Sequence, residues 1–139
     1  MALHLQPRTV TFSPPEDHTW LASAHGTQEA DPVTLLTSAF TGLFPTGFIP
    51  SGIPIGKVTA TGFYRPALSA GVDGSQVVAG HLFTSVDLTA GGSQAVAAQV
   101  QVPAALYWHG EVILAKIPVM AGATDLSVAA NQVKTIRYV

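Results

Sequence analysis

Proline and glycine punctuate residues 42–88 so closely that no long helix can form there. They stand at positions 42, 45, 47, 50, 52, 54, 56, 62, 66, 71, 74 and 80. Each proline removes a backbone donor and each glycine weakens a regular helix, which leaves short strands joined by turns. Lys57, Arg65, Asp73 and Asp87 are the charged side chains of the whole stretch. No acid, base, nucleophile or metal ligand is grouped there as a catalyst requires. A segment of this kind builds surface and shape.

The rest of the composition points the same way. At 139 residues the chain suits one domain with a modest core and an appended arm. Charged residues make up 10%, against roughly 25% in ordinary soluble proteins, while 47% are apolar. A small monomer so poor in charge exposes much uncharged surface, which favours association. The net charge of −2, with six scattered basic residues, argues against nucleic acid, whose phosphates need lysine and arginine in numbers.

Two long charge-free windows, 32–56 and 88–110, do not read as membrane spans. The first holds Pro32, Pro45, Pro50 and Pro54; the second is broken by Gly91, Gly92 and Pro103. No membrane partner is expected. Residues 1–12 show no basic run followed by an apolar core, so no signal peptide is expected. With no cysteine there are no disulfides, which fits a reducing compartment or a virion protein made in the cytosol.

Residues 1–31 differ from the rest of the chain. They hold Pro7, Pro14 and Pro15, most of the acidic residues of the N-terminal half, and His4, His18 and His25. We read 1–31 as an extended arm and 32–139 as a β-rich domain. Within the arm, Thr9, Val10, Thr11 and Phe12 form a β-prone run that can add to another sheet edge or pair within its own domain. Trp20, alone in a polar context, is expected to anchor the arm on a partner.

From Val33 onward the pattern is strand and turn, giving a mainly β fold with a barrel-like core. Strands are expected near residues 34–37, 53–60, 62–66 and 134–139, with a long strand over 76–88 kinked at Gly80. Asp73-Gly74 marks a turn. Residues 94–102 read as a half-buried strand. Residues 103–116 are either a tight hairpin or one strand kinked at Gly110. One short helix is expected near the C-terminus, with Thr124 as its N-cap and Asp125 in its first turn.

Candidate chemistry is sparse. The five histidines show no H-x-H or H-E-x-x-H spacing, so neither a metal nor a cofactor is expected. His81 and His109 read as hydrogen-bonded structural side chains, and His109 with Glu111 as a surface pair. No G-x-S-x-G elbow is present. Residues 47–56 contain G-x-x-x-x-G spacing but end in Gly56-Lys57-Val58 with no Ser or Thr after the lysine, and Pro50 and Pro54 lack the N–H groups of a cradle. The chain is not expected to be an enzyme. Phe40, Phe44, Phe48, Phe63 and Tyr64 cluster around the stiff loops. Several suit the core, and Phe44, Phe48, Ile49 and Ile53 are taken as candidate loop anchors of an interface.

Three segments in fixed order carry a family resemblance: S-G-I-P-I-G-K-V-T at 51–59, D-G-S-Q-V-V-A-G-H-L-F-T-S-V-D at 73–87, and H-G-E-V-I-L-A-K-I-P at 109–118. Together they resemble the head decoration proteins of lambda-like tailed phages, over about residues 33–139. The resemblance implies a homotrimer on the outer surface of the capsid, at three-fold and quasi-three-fold sites of the expanded head. It implies the major capsid protein as partner, capsid cementing against DNA pressure as the function, and an N-terminal segment that orders on the shell. Two other classes are in play: a glycan- or receptor-binding virion module, for which Tyr107 and Trp108 near Glu111 are the candidate platform, and a small trimeric hydrolase, which would need carboxylates or histidines converging between subunits.

Overall fold

Six paired residues tie the first strand to the seventh and fix the frame of the molecule. In the computed structural model, which describes residues 16–88 and 101–139, β1 (Asp31–Leu36) runs antiparallel to β7 (Gln101–Tyr107), from Asp31 opposite Leu106 to Leu36 opposite Gln101. Alternation explains the pairing. Val33 and Leu35 on β1 and Val102, Ala104 and Leu106 on β7 face one core, while Gln101 and Pro103 are exposed.

Three further strands close the circle: β3 (Pro54–Lys57), β4 (Tyr64–Pro66) and β5 (Gly80–Leu82), in the order β1-β4-β3-β5-β7. The neighbours are antiparallel except for a parallel β1–β4 contact at Leu35 and Tyr64. Closure leaves the barrel without a free edge. Its interior is filled by Leu35, Ile53, Ile55, Leu82 and Leu106. Phe40 closes it from α1 (Ser38–Thr41), a single helical turn that the sequence did not signal. Gly80 is required where β5 meets β7, since a Cβ there would lie 2.4 Å from the Tyr107 carbonyl oxygen. The molecule is mainly β, with little helix.

Two small sheets flank the barrel. β2 (Phe48–Ile49) pairs with β6 (Val86–Asp87), and β8 (Gly110–Val112) runs parallel to β9 (Ile136–Tyr138). The expected long strand over 76–88 is therefore broken. It leaves the barrel after Leu82, because the Phe83 carbonyl is turned aside to accept the Ser51 hydroxyl at 2.6 Å and His18 Nε2 at 2.9 Å. Residues 103–116 form no hairpin, since β7 and β8 pair with different partners across a break at Gly110, whose φ is +136°. Most of the strand expected at 94–102 lies outside the described residues.

The C-terminal helix is a single 3-10 turn, Ala129–Asn131, later than the helix expected to start at Thr124. Side-chain hydrogen bonds explain the difference. Thr124 Oγ1 donates to the Gln76 carbonyl instead of capping, and Asp125 Oδ1 accepts both the Ser127 amide and hydroxyl. The Leu126 carbonyl accepts the side-chain amide of Gln132, and the Asp125 carbonyl accepts the Asn131 side-chain amide beside a long bond from the Val128 amide.

Residues 16–30, placed by sequence in the arm, belong to the domain. They form a strap in which Leu21 bridges Val112 antiparallel, the Ala22 amide donates to the Glu111 carbonyl, and the Ile113 amide donates to the Trp20 carbonyl. The strap thus lies against β8 through one bridge and two backbone hydrogen bonds. Trp20 is 1% exposed and packs with Tyr107, Val112 and Ile136. Anchoring on a partner needs an accessible ring, so Trp20 is corrected from arm anchor to core residue. Replacing it with alanine removes a filled site of a kind that costs about 3–5 kcal/mol. Trp20→Ala should lower the melting temperature by about 10 °C or more. An unchanged melt would mean that the strap does not hold the domain.

Candidate docking surface

A buried polar node sits beneath Trp20 and sets which surfaces remain. Gly52, with φ +99°, passes against the indole so closely that a Cβ would lie 2.7 Å from its ring. The indole N–H reaches Ser51 Oγ at 3.0 Å and the Asp17 carbonyl at 3.1 Å. His81, fully buried, donates from Nδ1 to the Gly52 carbonyl at 2.8 Å. Its Nε2 accepts the Tyr138 hydroxyl, also at 2.8 Å. That arrangement suits a neutral imidazole, and burial pushes its pKa down to about 4, against the lesser opposing pull of the Gly52 carbonyl. Burial likewise raises the Tyr138 hydroxyl well above its ordinary value. The sequence expectation that His81 is a structural, hydrogen-bonded side chain agrees with this geometry.

The loop residues expected to anchor an interface turn inward. Ile49 and Ile53 are 0% exposed and belong to the barrel core, so they are corrected from anchors to core. Phe44 packs half-buried against the same core, and Phe48 is half-buried in β2. Stiffening by Pro50 and Pro54 here aims the isoleucines at the barrel, because both neighbouring faces of β3 are covered and Pro54, Ile55 and Gly56 are all buried. Thr9, Val10, Thr11 and Phe12 lie outside the described residues. Tyr107 is 0% exposed, with its hydroxyl held between the His25 carbonyl and the Glu111 amide. Trp108 spends its indole N–H on the Glu29 carbonyl at 2.7 Å. The pair therefore offers no open stacking platform.

What the molecule displays instead is a set of valines on two loops joined by the Leu68–Ala123 bridge and by the Ser69 amide on the Gly122 carbonyl. Val72 is 95% exposed and Val119 is 97%, with Val77 and Val128 also largely open. A cleft of about 490 Å3 runs between the loops, lined by Ser69, Val77, Thr124 and Val133 together with Asp125 and Lys134. Nearby charge is held locally. Arg65 Nη1 pairs with Asp73 Oδ2 at 2.6 Å, and bonds from Ser75, with Arg65 assisting, bring the Asp73 carboxyl down to about 2. The Ser127 hydroxyl and amide hold the Asp125 carboxyl below its usual range. One sequence signal pointed here: Val72 follows Gly71 and precedes Asp73-Gly74, and turn chemistry has no use for a bare β-branched side chain at such a place.

A second cluster lies where the strap meets the β7–β8 joint. His25 Nε2 and His109 Nε2 stand 3.2 Å apart, and His109 Nδ1 lies 3.1 Å from Glu29 Oε2. The pairing of His109 with Glu111 expected from a regular strand does not form, since the positive φ of Gly110 breaks the alternation. Among the described residues, no group of three or more histidines and carboxylates converges as a metal cage. No helix among them is long and apolar enough to cross a membrane.

No family model, no curated protein and no solved structure matches this chain.

The node makes His81 a source of acid sensitivity. His81 binds a proton in the unfolded chain near 6.5 but in the folded protein only near 4, so the unfolded state holds more protons between those values. Stability is then full above about pH 6.5 and falls as pH drops toward 4, by roughly 3 kcal/mol in all. Asp73 acts in the next window. Its folded value is depressed, so its contribution persists above its ordinary pKa near 3.8 and is lost as pH falls toward 2. Urea melts across these pH values should show the first slope in the native chain and its loss in His81→Asn, which starts less stable at neutral pH. A native chain equally stable at pH 7 and 4.5 would contradict the buried neutral imidazole.

Proposed function

We propose that this protein is a homotrimeric structural protein of a phage virion. It decorates the outer surface of the expanded capsid, contacts the major capsid protein and cements the shell. The observation that carries the reading is the exposure of Val72, Val77, Val119 and Val128 on loops of a barrel that has no free edge. The order of the three sequence segments supplies the phage context. A preordered loop loses little entropy on docking, and few charges need desolvation. We assign this surface to a second copy of the chain, which brings an equally charge-poor face to the contact.

Capsid contact falls to the segment before Glu16. The Glu16 carboxylate is fixed on the Ser85 amide at 2.8 Å and on the Ser85 hydroxyl, which places the first described residue beside the β5–β6 joint. Strand addition by Thr9, Val10, Thr11 and Phe12 to the shell is the proposed mode. Three such segments on one trimer act together, and effective concentration turns weak single contacts into lasting occupancy. No observation favours the glycan-binding alternative over this reading.

Sedimentation should give a trimer at micromolar concentration. Val72→Glu combined with Val119→Glu should shift it to monomer with little change in melting temperature, because both side chains are exposed. A monomeric native chain would sink the assignment of this surface. Removing residues 1–15 should leave a folded trimer that decorates expanded, undecorated heads at least about tenfold less well. Removing 1–31 should unfold it, since Trp20 goes too. Full decoration by the shorter deletion, seen by negative stain, would show that the segment before Glu16 is not the capsid contact.

A further inference from the structure

We propose that His25 and His109 form a binding site for a divalent transition-metal ion of the zinc class, with Glu29 orienting His109. The inference stands independently of the decoration reading. Two imidazole nitrogens bound to one tetrahedral zinc at about 2.0–2.1 Å are held about 3.3 Å apart. The two Nε2 atoms stand 3.2 Å apart, and the rings meet at 67° rather than stacking flat. Glu29 accepts the Nδ1–H of His109, which leaves the Nε2 lone pair facing His25. A carboxylate behind a ligating histidine fixes its tautomer and raises its basicity. His25 turns its own Nε2 lone pair inward when its proton sits on Nδ1. With its proton on Nε2 instead, His25 donates a hydrogen bond to His109; when both lone pairs face inward, a metal ion takes the place of that proton.

Both ends of the site are held without using the rings. The His25 carbonyl accepts the Tyr107 hydroxyl at 2.8 Å, and the Glu29 carbonyl accepts the Trp108 indole N–H. The rings open onto a cleft of about 320 Å3 lined also by Glu111, Lys134, Thr135 and Arg137. Glu29 and Glu111 offset the two cationic side chains. Lys134 and Arg137 can in turn draw an anion, with water, into the coordination positions that two histidines leave open. With two protein ligands, affinity falls in the micromolar range, far short of a structural zinc cage. A bound ion would tie the strap to the β7–β8 joint across 84 residues of chain. It would therefore stabilise the folded state by mass action.

Calorimetric titration of the full chain with zinc chloride, slightly above neutral pH, tests the site. One equivalent should bind with micromolar affinity and raise the melting temperature. His25→Ala and His109→Ala should each weaken binding at least about tenfold, and Glu29→Gln about tenfold. His4→Ala should change nothing. Melting each variant without metal separates loss of ligand from loss of fold, and His25→Ala keeps the backbone carbonyl that Tyr107 uses. Absence of saturable binding up to millimolar zinc, or undiminished binding in the His25→Ala, His109→Ala double variant, would overturn the proposal.

Discussion

Everything in this fold depends on the insertion of Trp20 over the Gly52 backbone. The indole brings together the strap, the β2–β3 turn through Ser51, and Tyr107 of β7. His81 of β5, lying 5.8 Å from the indole, continues the node to Tyr138 of β9. Barrel and flanking sheet thus meet at one buried centre in which the polar atoms are paired. Among the described residues, no buried side-chain nitrogen or oxygen lacks a partner. In a low-dielectric interior such a network is strong only when complete, so Ser51, His81 and Tyr138 act as a unit. Glycine at 52 is the condition for all of it, since no other residue leaves room for the indole at that φ.

This centre also decides what faces outward. Because the strap and barrel consume Trp20, Tyr107, Phe40 and the isoleucines, large aromatics do not supply the exposed apolar surface. Valines on the two bridged loops supply it instead. Charges close to those loops are tied into their own turns, Asp73 by Ser75 and Arg65, and Asp125 by Ser127. The result is a body that displays exposed valines on two bridged loops, with Glu16 held separately on Ser85. The His25–His109 pair stands on the same strap, so a cation there would reinforce the element that Trp20 holds in place.

Alternation of apolar residues and the spacing of proline and glycine determined the class of fold. They marked β1, β3, β4 and β9 near their observed positions, the turn at Asp73-Gly74 and the absence of long helices, because those signals are local. Three decisions belonged to tertiary structure alone. Trp20 looked like a free anchor because its neighbours are polar, yet its pocket is built by residues 31 to 116 positions away. Ile49 and Ile53 looked like loop anchors, but the closed barrel covers both sides of their segment. The helix expected after Thr124 lost its cap because Thr124 gives its hydroxyl to the Gln76 carbonyl, 48 positions away. The meeting of His25 with His109 and Glu29 is of the same kind. A two-residue spacing suggested Glu111 as the partner, and only the strap's path across β8 brought the true one within reach. Local periodicity is written in the chain; which distant segment fills a given space is decided when the barrel closes.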